Sequence, residues 1–110
     1  MATETYKVIA QSNPAATTLT AIYTVPALTE AVISTIIVTN RTNATRSFRI
    51  SIAVAGAADS LEQYIAYDTS LQGNGIQELT IGVTLGPADV IRVYASTTDL
   101  SFNVFGTEIA

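Results

Sequence analysis

Apolar and polar residues alternate along much of this chain with a period of two. The pattern is clearest from Ser47 to Val54, where Phe48, Ile50, Ile52 and Val54 alternate with Ser47, Arg49, Ser51 and Ala53. Successive side chains of an extended strand point to opposite faces, so this spacing predicts a strand with one buried and one wet side. The run just before it, from Ala31, is oilier: Val32, Ile33, Ile36, Ile37 and Val38 put apolar groups on both faces. That predicts a strand covered on both sides. Between the two lies Asn40-Arg41-Thr42-Asn43-Ala44, turn chemistry because Asn tolerates a left-handed backbone and caps its own chain. The sequence therefore predicts a long hairpin over Ala31 to Val54, with the rest of the chain arranged around it.

Further strands are predicted over Tyr6 to Gln11 and over Leu19 to Val25, the latter halted by Pro26, which has no N–H to give a ladder. Others follow over Tyr64 to Ser70, Ile76 to Leu85, Val90 to Ser96 and Leu100 to Phe105. In Ile76 to Leu85, Leu79, Ile81, Val83 and Leu85 share one face. Gly73-Asn74-Gly75, Gly86-Pro87-Ala88-Asp89 and Thr97-Thr98-Asp99 punctuate them as turns. Ala58 to Gln63 has room for one helical turn, capped by Asp59 or Ser60. Eight short strands with regular turn signals predict an all-β fold: an eight-stranded antiparallel two-sheet sandwich of jelly-roll type. The 110 residues read as a single domain, 1–110, with the polar stretch Met1 to Thr5 as an arm that is either ordered by a neighbour or frayed.

Composition narrows the function. Charged residues make up 13% of the chain, about half of ordinary usage, while 48% is hydrophobic. Thr and Ser thus cover much of the surface, which suits a chain that lives packed against partners. The net charge is -4, and the basic residues are only Lys7, Arg41, Arg46, Arg49 and Arg92. Nucleic-acid affinity is dominated by neutralised phosphates, so DNA and RNA are excluded as expected partners. No Cys is present, which removes disulfides, thiolate nucleophiles and sulfur-bound zinc. No His is present either, closing triads and most proton transfer near neutrality.

The acidic residues are scattered singly rather than paired as in a glycosidase. Asp59 and Glu62, three apart, suit helix capping better than calcium, since no twelve-residue calcium loop surrounds them. No glycine-rich phosphate loop occurs. The expectation is no enzyme, no metal and no cofactor. The sequons at Asn40 and Asn43 read as turn chemistry. The N-terminus lacks the blocks of a signal peptide, and no apolar run approaches the roughly 20 residues that cross a bilayer. A product of the cytoplasm with no membrane partner is expected.

Candidate contact residues come from two groups. Tyr64 and Tyr67 fall on opposite faces of one predicted strand, so at least one should reach the surface, where tyrosine suits interfaces. Arg41, Arg46 and Arg49 gather in and just after the central turn, positioned to grip an acidic partner or simply solvated there. These five residues form the candidate protein–protein interface. Phe48, Phe102 and Phe105 are expected in the core, and the absence of Trp weighs against a sugar-binding face.

Several segments carry a resemblance: Tyr23 to Ala27, Ile37-Val38-Thr39-Asn40-Arg41, Phe48-Arg49-Ile50, Tyr64-Ile65-Ala66-Tyr67-Asp68, and best of all Asp89 to Ser96 with Leu100-Ser101-Phe102 and Phe105-Gly106-Thr107-Glu108. Through them the chain resembles small virion structural proteins of tailed bacteriophages, a group seen in phages of cyanobacteria and marine bacteria. Leu28 and Ala88 depart from that pattern, standing where a Gly often occurs. The resemblance implies a non-enzymatic virion component of the capsid decoration, or cement, kind. Its implied partners are itself, as a homotrimer, and the major capsid protein, which it would brace from outside the head. A tail, neck or fibre-associated piece of the same virion is the alternative, and a receptor- or carbohydrate-binding module a third.

Overall fold

The computed structural model describes residues 2–110, and almost all of their regular structure is strand: β1 (Glu4–Ser12), β2 (Thr20–Thr24), β3 (Glu30–Asn40), β4 (Arg46–Ala53), β5 (Tyr64–Leu71), β6 (Ile76–Leu79), β7 (Val83–Leu85), β8 (Val90–Ala95) and β9 (Leu100–Ile109). Two antiparallel sheets result. Sheet A has the order β1-β9-β3-β6, with β7 also on β3, and sheet B has the order β2-β8-β4-β5. The chain crosses between sheets at almost every connection, the winding of a jelly roll. The strand predicted over Ile76 to Leu85 is present in two pieces. It breaks at Thr80–Gly82, where Gly82 takes φ +62° and Ile81 turns outward, 53% exposed. Counted as one interrupted strand it gives the predicted eight.

The hairpin over Ala31 to Val54 does not form. β3 pairs with β9, β6 and β7 in sheet A, and β4 pairs with β5 and β8 in sheet B. The two strands face each other across the core instead of sharing a ladder. Both bury an apolar row, and stacking those rows removes more apolar surface from water than edge pairing would. Asn40 fixes the corner. Its side chain is 1% exposed, and Nδ2 donates to the carbonyls of Ala44 (2.8 Å), Leu71 (3.1 Å) and Gln72 (3.2 Å), while Oδ1 accepts from the Thr42 N–H (3.1 Å). The turn chemistry read from the sequence is real, but it serves an arch between sheets.

The apparent two-faced character of β3 also has a local cause. Its register against β9 shifts between Ile33 and Thr35, so Ser34 is an extra residue, a bulge. Ala31 and Ile33 are buried before it, Ile36 and Val38 after it. Two alternations of opposite phase, joined at the bulge, read in sequence as one continuous apolar run. β1 carries a second bulge between Val8 and Ala10, against the same stretch of β9. Gly106 sits between them. A Cβ there would lie 2.2 Å from the Val32 carbonyl oxygen.

Phe48 and Phe102 meet edge to face at the centre of the core, 6.2 Å between centroids, within a layer that includes Ile33, Ile36, Val38, Ile50, Val93 and Val104. Phe105, expected inside, is half-buried on the outer face of sheet A. The predicted helical turn is a single 3-10 turn at Leu61–Gln63, and the Ser60 hydroxyl bonds Glu62 instead of capping it. Of the N-terminal arm read from the sequence, Met1 lies outside the described residues, while Thr3 and Ala110 exchange backbone hydrogen bonds and β1 begins one residue on. The pairing of the two chain ends lengthens both terminal strands beyond their sequence-based limits.

At the mouth of the sandwich beside these ends, Glu108 points between the sheets. It accepts from Tyr23 Oη (2.5 Å) on β2 and from Lys7 Nζ (2.9 Å) on β1. The Tyr23 bond, then Lys7, hold the Glu108 carboxyl below its usual range. Burial, then Glu108, push the Tyr23 phenol well above its ordinary value of 10.0.

Two predictions follow from this frame. Gly106→Ala should cost about 2 kcal/mol or more, because backbone, not a flexible side chain, occupies the space; a urea midpoint unchanged from the parent would refute the close approach. The mouth cluster should limit stability at both ends of the pH scale. The depressed Glu108 carboxyl contributes fully above its unfolded value of 4.5, and that contribution drains away as pH falls through its lower folded value. The raised Tyr23 phenol contributes below pH 10.0 and is lost as pH rises beyond it. Urea midpoints measured from about pH 2 to 11 should show a shallower acid limb in Glu108→Gln and a shallower alkaline limb in Tyr23→Phe.

Candidate functional site

The five candidate contact residues separate into two places. Arg49 lies on the outer face of sheet B, because its neighbours Phe48 and Ile50 fill the core. Its partner across the β4–β8 ladder is Tyr94, whose ring lies 4.4 Å from the guanidinium carbon. Tyr67 covers the guanidinium at 4.2 Å. Asp68 completes the group, accepting from Nε (2.6 Å) and Nη2 (3.1 Å) of Arg49 in a bidentate pair. Each partner stabilises the other's charge: the Arg49 pKa is raised, chiefly by the bond to Asp68, and the Asp68 carboxyl is lowered by the same bond.

Tyr64 and Tyr67 stand on one face, not two. Their rings meet edge to face at 5.0 Å, and Tyr64 Oη donates to Asp59 Oδ1 (2.8 Å). The reason is again a bulge. The β4–β5 register shifts on both sides of Ile50, and Asp68 takes φ +49°. An extra residue between the two tyrosines reverses the alternation that put them on opposite sides.

Arg41 and Arg46 go elsewhere, to the turn between β8 and β9. Arg41 Nη2 donates to the Thr98 carbonyl (2.7 Å), and Arg46 Nε to Asp99 Oδ2 (3.2 Å). Asp99 is held below the usual carboxylate range, first by the Thr97 hydroxyl and then by Arg46. All three arginines are thus engaged within the chain, and gripping an acidic partner would require exchanging these bonds. Tyr94, Asp59, Asp68 and Asp99 were not singled out in the sequence for this role. The alternating pattern marks Tyr94 as outward, but only the ladder places it beside Arg49.

A second feature is the outer face of sheet A. Register pairing sets Val8 opposite Phe105, and Tyr6 and Val32 on either side of Thr107. Tyr6 is 78%, Val8 49% and Val32 37% exposed. Half-buried Ile37 and Ile109 extend this apolar strip along β3 and β9. The charged residues among those described on this face are all acidic. Glu4 and Glu30 flank Ile109 at one end, and Glu78 sits opposite Ile37 on β6.

A third feature is the loop end built around Asp89. Its carboxylate accepts from the N–H groups of Ala55 (2.8 Å) and Gly86 (2.8 Å), and its carbonyl from Val25 (2.9 Å), tying three connections together. Leu28 (φ +58°), Ala55 (φ +54°) and Ala88 (φ +69°) there adopt a left-handed backbone that normally favours glycine. Leu28 and Ala88 are the two departures from the pattern of the resembled family, and the turns retain a glycine-like geometry without the glycine.

Two shallow hollows have room for about 340 Å³ each, one along Gln11, Asn13 and Asn103, the other along Glu30, Thr84 and Gly86. Glu30 is, among the described residues, the one titratable side chain lining either. Among the described residues no three acidic side chains gather as a metal would need, and no helix is long and apolar enough to cross a membrane.

No protein-family model and no curated protein sequence matches the chain. Among solved structures, it is similar to a chain in the structure of infectious bursal disease virus, Gx strain, with a TM-score of 0.50 and 9% sequence identity. The match covers 99% of this chain and 32% of that one, so this chain spans about a third of its length. At that identity the likeness establishes a shared fold.

Proposed function

We propose that this chain is a non-enzymatic structural subunit of a virus particle, working by adding buried area between neighbouring subunits. The observation that carries the reading is the jelly-roll winding itself, matched along nearly the whole chain to part of a protein from a virus structure. The surface supports it in kind: Thr-rich, low in charge, its arginines engaged internally, with exposed apolar side chains on the outer face of sheet A. The resemblance to tailed-phage virion proteins supplies the finer form. In it, self-associated copies of the chain sit on the major capsid protein lattice outside the head and brace it as a cement. Sugar recognition is less well supported, since Tyr67 and Tyr94 each give a ring face to Arg49.

Purified particles of the encoding virus, imaged at a resolution that locates the subunit, test this. Density repeated over the outer head is the expected result. Density confined to the tail or neck would replace decoration by the tail reading, and absence from the particle would end both.

A further inference from the structure

Sheet A has one face in the core and one uncovered. On the uncovered face the ladder sets Val8 beside Phe105, with Tyr6 and Val32 on either side of Thr107, Ile37 beside Asn103 and Ile109 between Glu4 and Glu30. The apolar side chains are thus interleaved with Thr, Asn and Glu, and no cation lies among the described residues of this face. Four strands about 4.8 Å apart, at about 3.4 Å per residue along β9, give it roughly 650 Å² in projection. That approaches the ~800 Å² each partner contributes to a standard interface.

Charge selects what fits there and in which orientation. Glu4 and Glu30 mark one end, and at the other the ladder pairs Gln11 with Asn103 and Thr39 with Ser101, all neutral. A ring of copies about an axis along the strands would bring every Glu4 and Glu30 to one level, like charges together. A two-fold axis lying across the strands reverses the second copy. The glutamates then move about 30 Å apart, well beyond the ~8–10 Å over which salt leaves surface charges interacting. They meet neutral amides and hydroxyls instead, while Glu78, on the edge strand β6, stays at the wet rim.

We propose that two copies of this chain pair face to face through the outer surface of sheet A, antiparallel, about a two-fold axis crossing the strands at Phe105. The inference rests on the self-association within the proposed function and gives it two-fold closure, where the resemblance read from the sequence implies a homotrimer.

Sedimentation velocity and light scattering over a wide concentration range test it, with circular dichroism confirming that each variant is folded. The parent should be a dimer. Val8→Lys, at the axis beside Phe105 and without an adjacent carboxylate, should weaken pairing tenfold or more by burying an ammonium, and Val32→Lys should weaken it through the bulk and hydration it puts between the faces. Val54→Lys, on an exposed loop valine away from sheet A, should leave pairing intact. Because the chain has no cysteine, single thiols report geometry cleanly. A short bismaleimide should link Thr35→Cys, which pairs with Phe105 near the axis, and should fail to link Ser101→Cys, displaced toward one end. A monomer throughout, a dimer indifferent to the lysines, or efficient linkage through Ser101→Cys would overturn the pairing. A trimer would also overturn it while leaving the virion reading intact, and a dimer absent from particles would do the reverse.

Discussion

The constraint on which this structure depends is that two one-sided sheets must hold their apolar faces together while the chain crosses repeatedly between them. Phe48 from sheet B and Phe102 from sheet A meet at the middle of that contact. Every crossing leaves backbone groups that neither ladder can satisfy, and buried polar groups without partners are costly. The chain answers with side chains placed at the corners. Asn40 serves three carbonyls and one N–H at one end, and Asp89 gathers two amides at the other. Removing Asn40 would leave buried carbonyls with no compensating water, so this polar residue is as much a part of the core's integrity as the phenylalanines, whereas Asp89 ties together a loop end that is more open to solvent.

Bulges are the second organising device. Those in β1 and β3 flank β9 at one level, and Gly106 lies at that level because the Val32 carbonyl takes the space of a side chain. Beyond this line the inner face of β1 and β9 carries Lys7 and Glu108, and Glu108 reaches Tyr23 across the gap, while Ala31 and Leu85 stay buried beside them. The sandwich therefore has a dry centre and a charged mouth. Another bulge, at Tyr67 and Asp68, rotates a tyrosine onto the Arg49 cluster.

Class, strand count and most strand positions were legible in the sequence, because period-two alternation and turn residues report directly on extended backbone and its ends. Pairing was not. Asn40 to Ala44 is equally good chemistry for a hairpin and for an arch, and the choice is made by which apolar rows stack, a property of the whole chain. Bulges were hidden for a related reason. An inserted residue inverts the phase of everything after it, so β3 read as two-faced and Tyr64 and Tyr67 as opposed. The candidate site was legible as residue types, tyrosine and arginine on outward positions. Its grouping was not, because Arg49 meets Tyr94 across 45 positions of chain through a ladder that no local pattern encodes.

The side-by-side course of β1 and β9 at Thr3 and Ala110 has a consequence for how such a unit can be used. Thr3 and Ala110 are hydrogen-bonded neighbours, so the path of the polypeptide closes on itself almost as a loop. A short peptide bridging them would leave the sandwich unstrained, and new ends opened at an exposed turn would give a permuted chain of the same shape. By the same geometry the whole unit fits into a surface turn of a larger protein without prising that turn apart, a portable bead threaded by adjacent entry and exit strands.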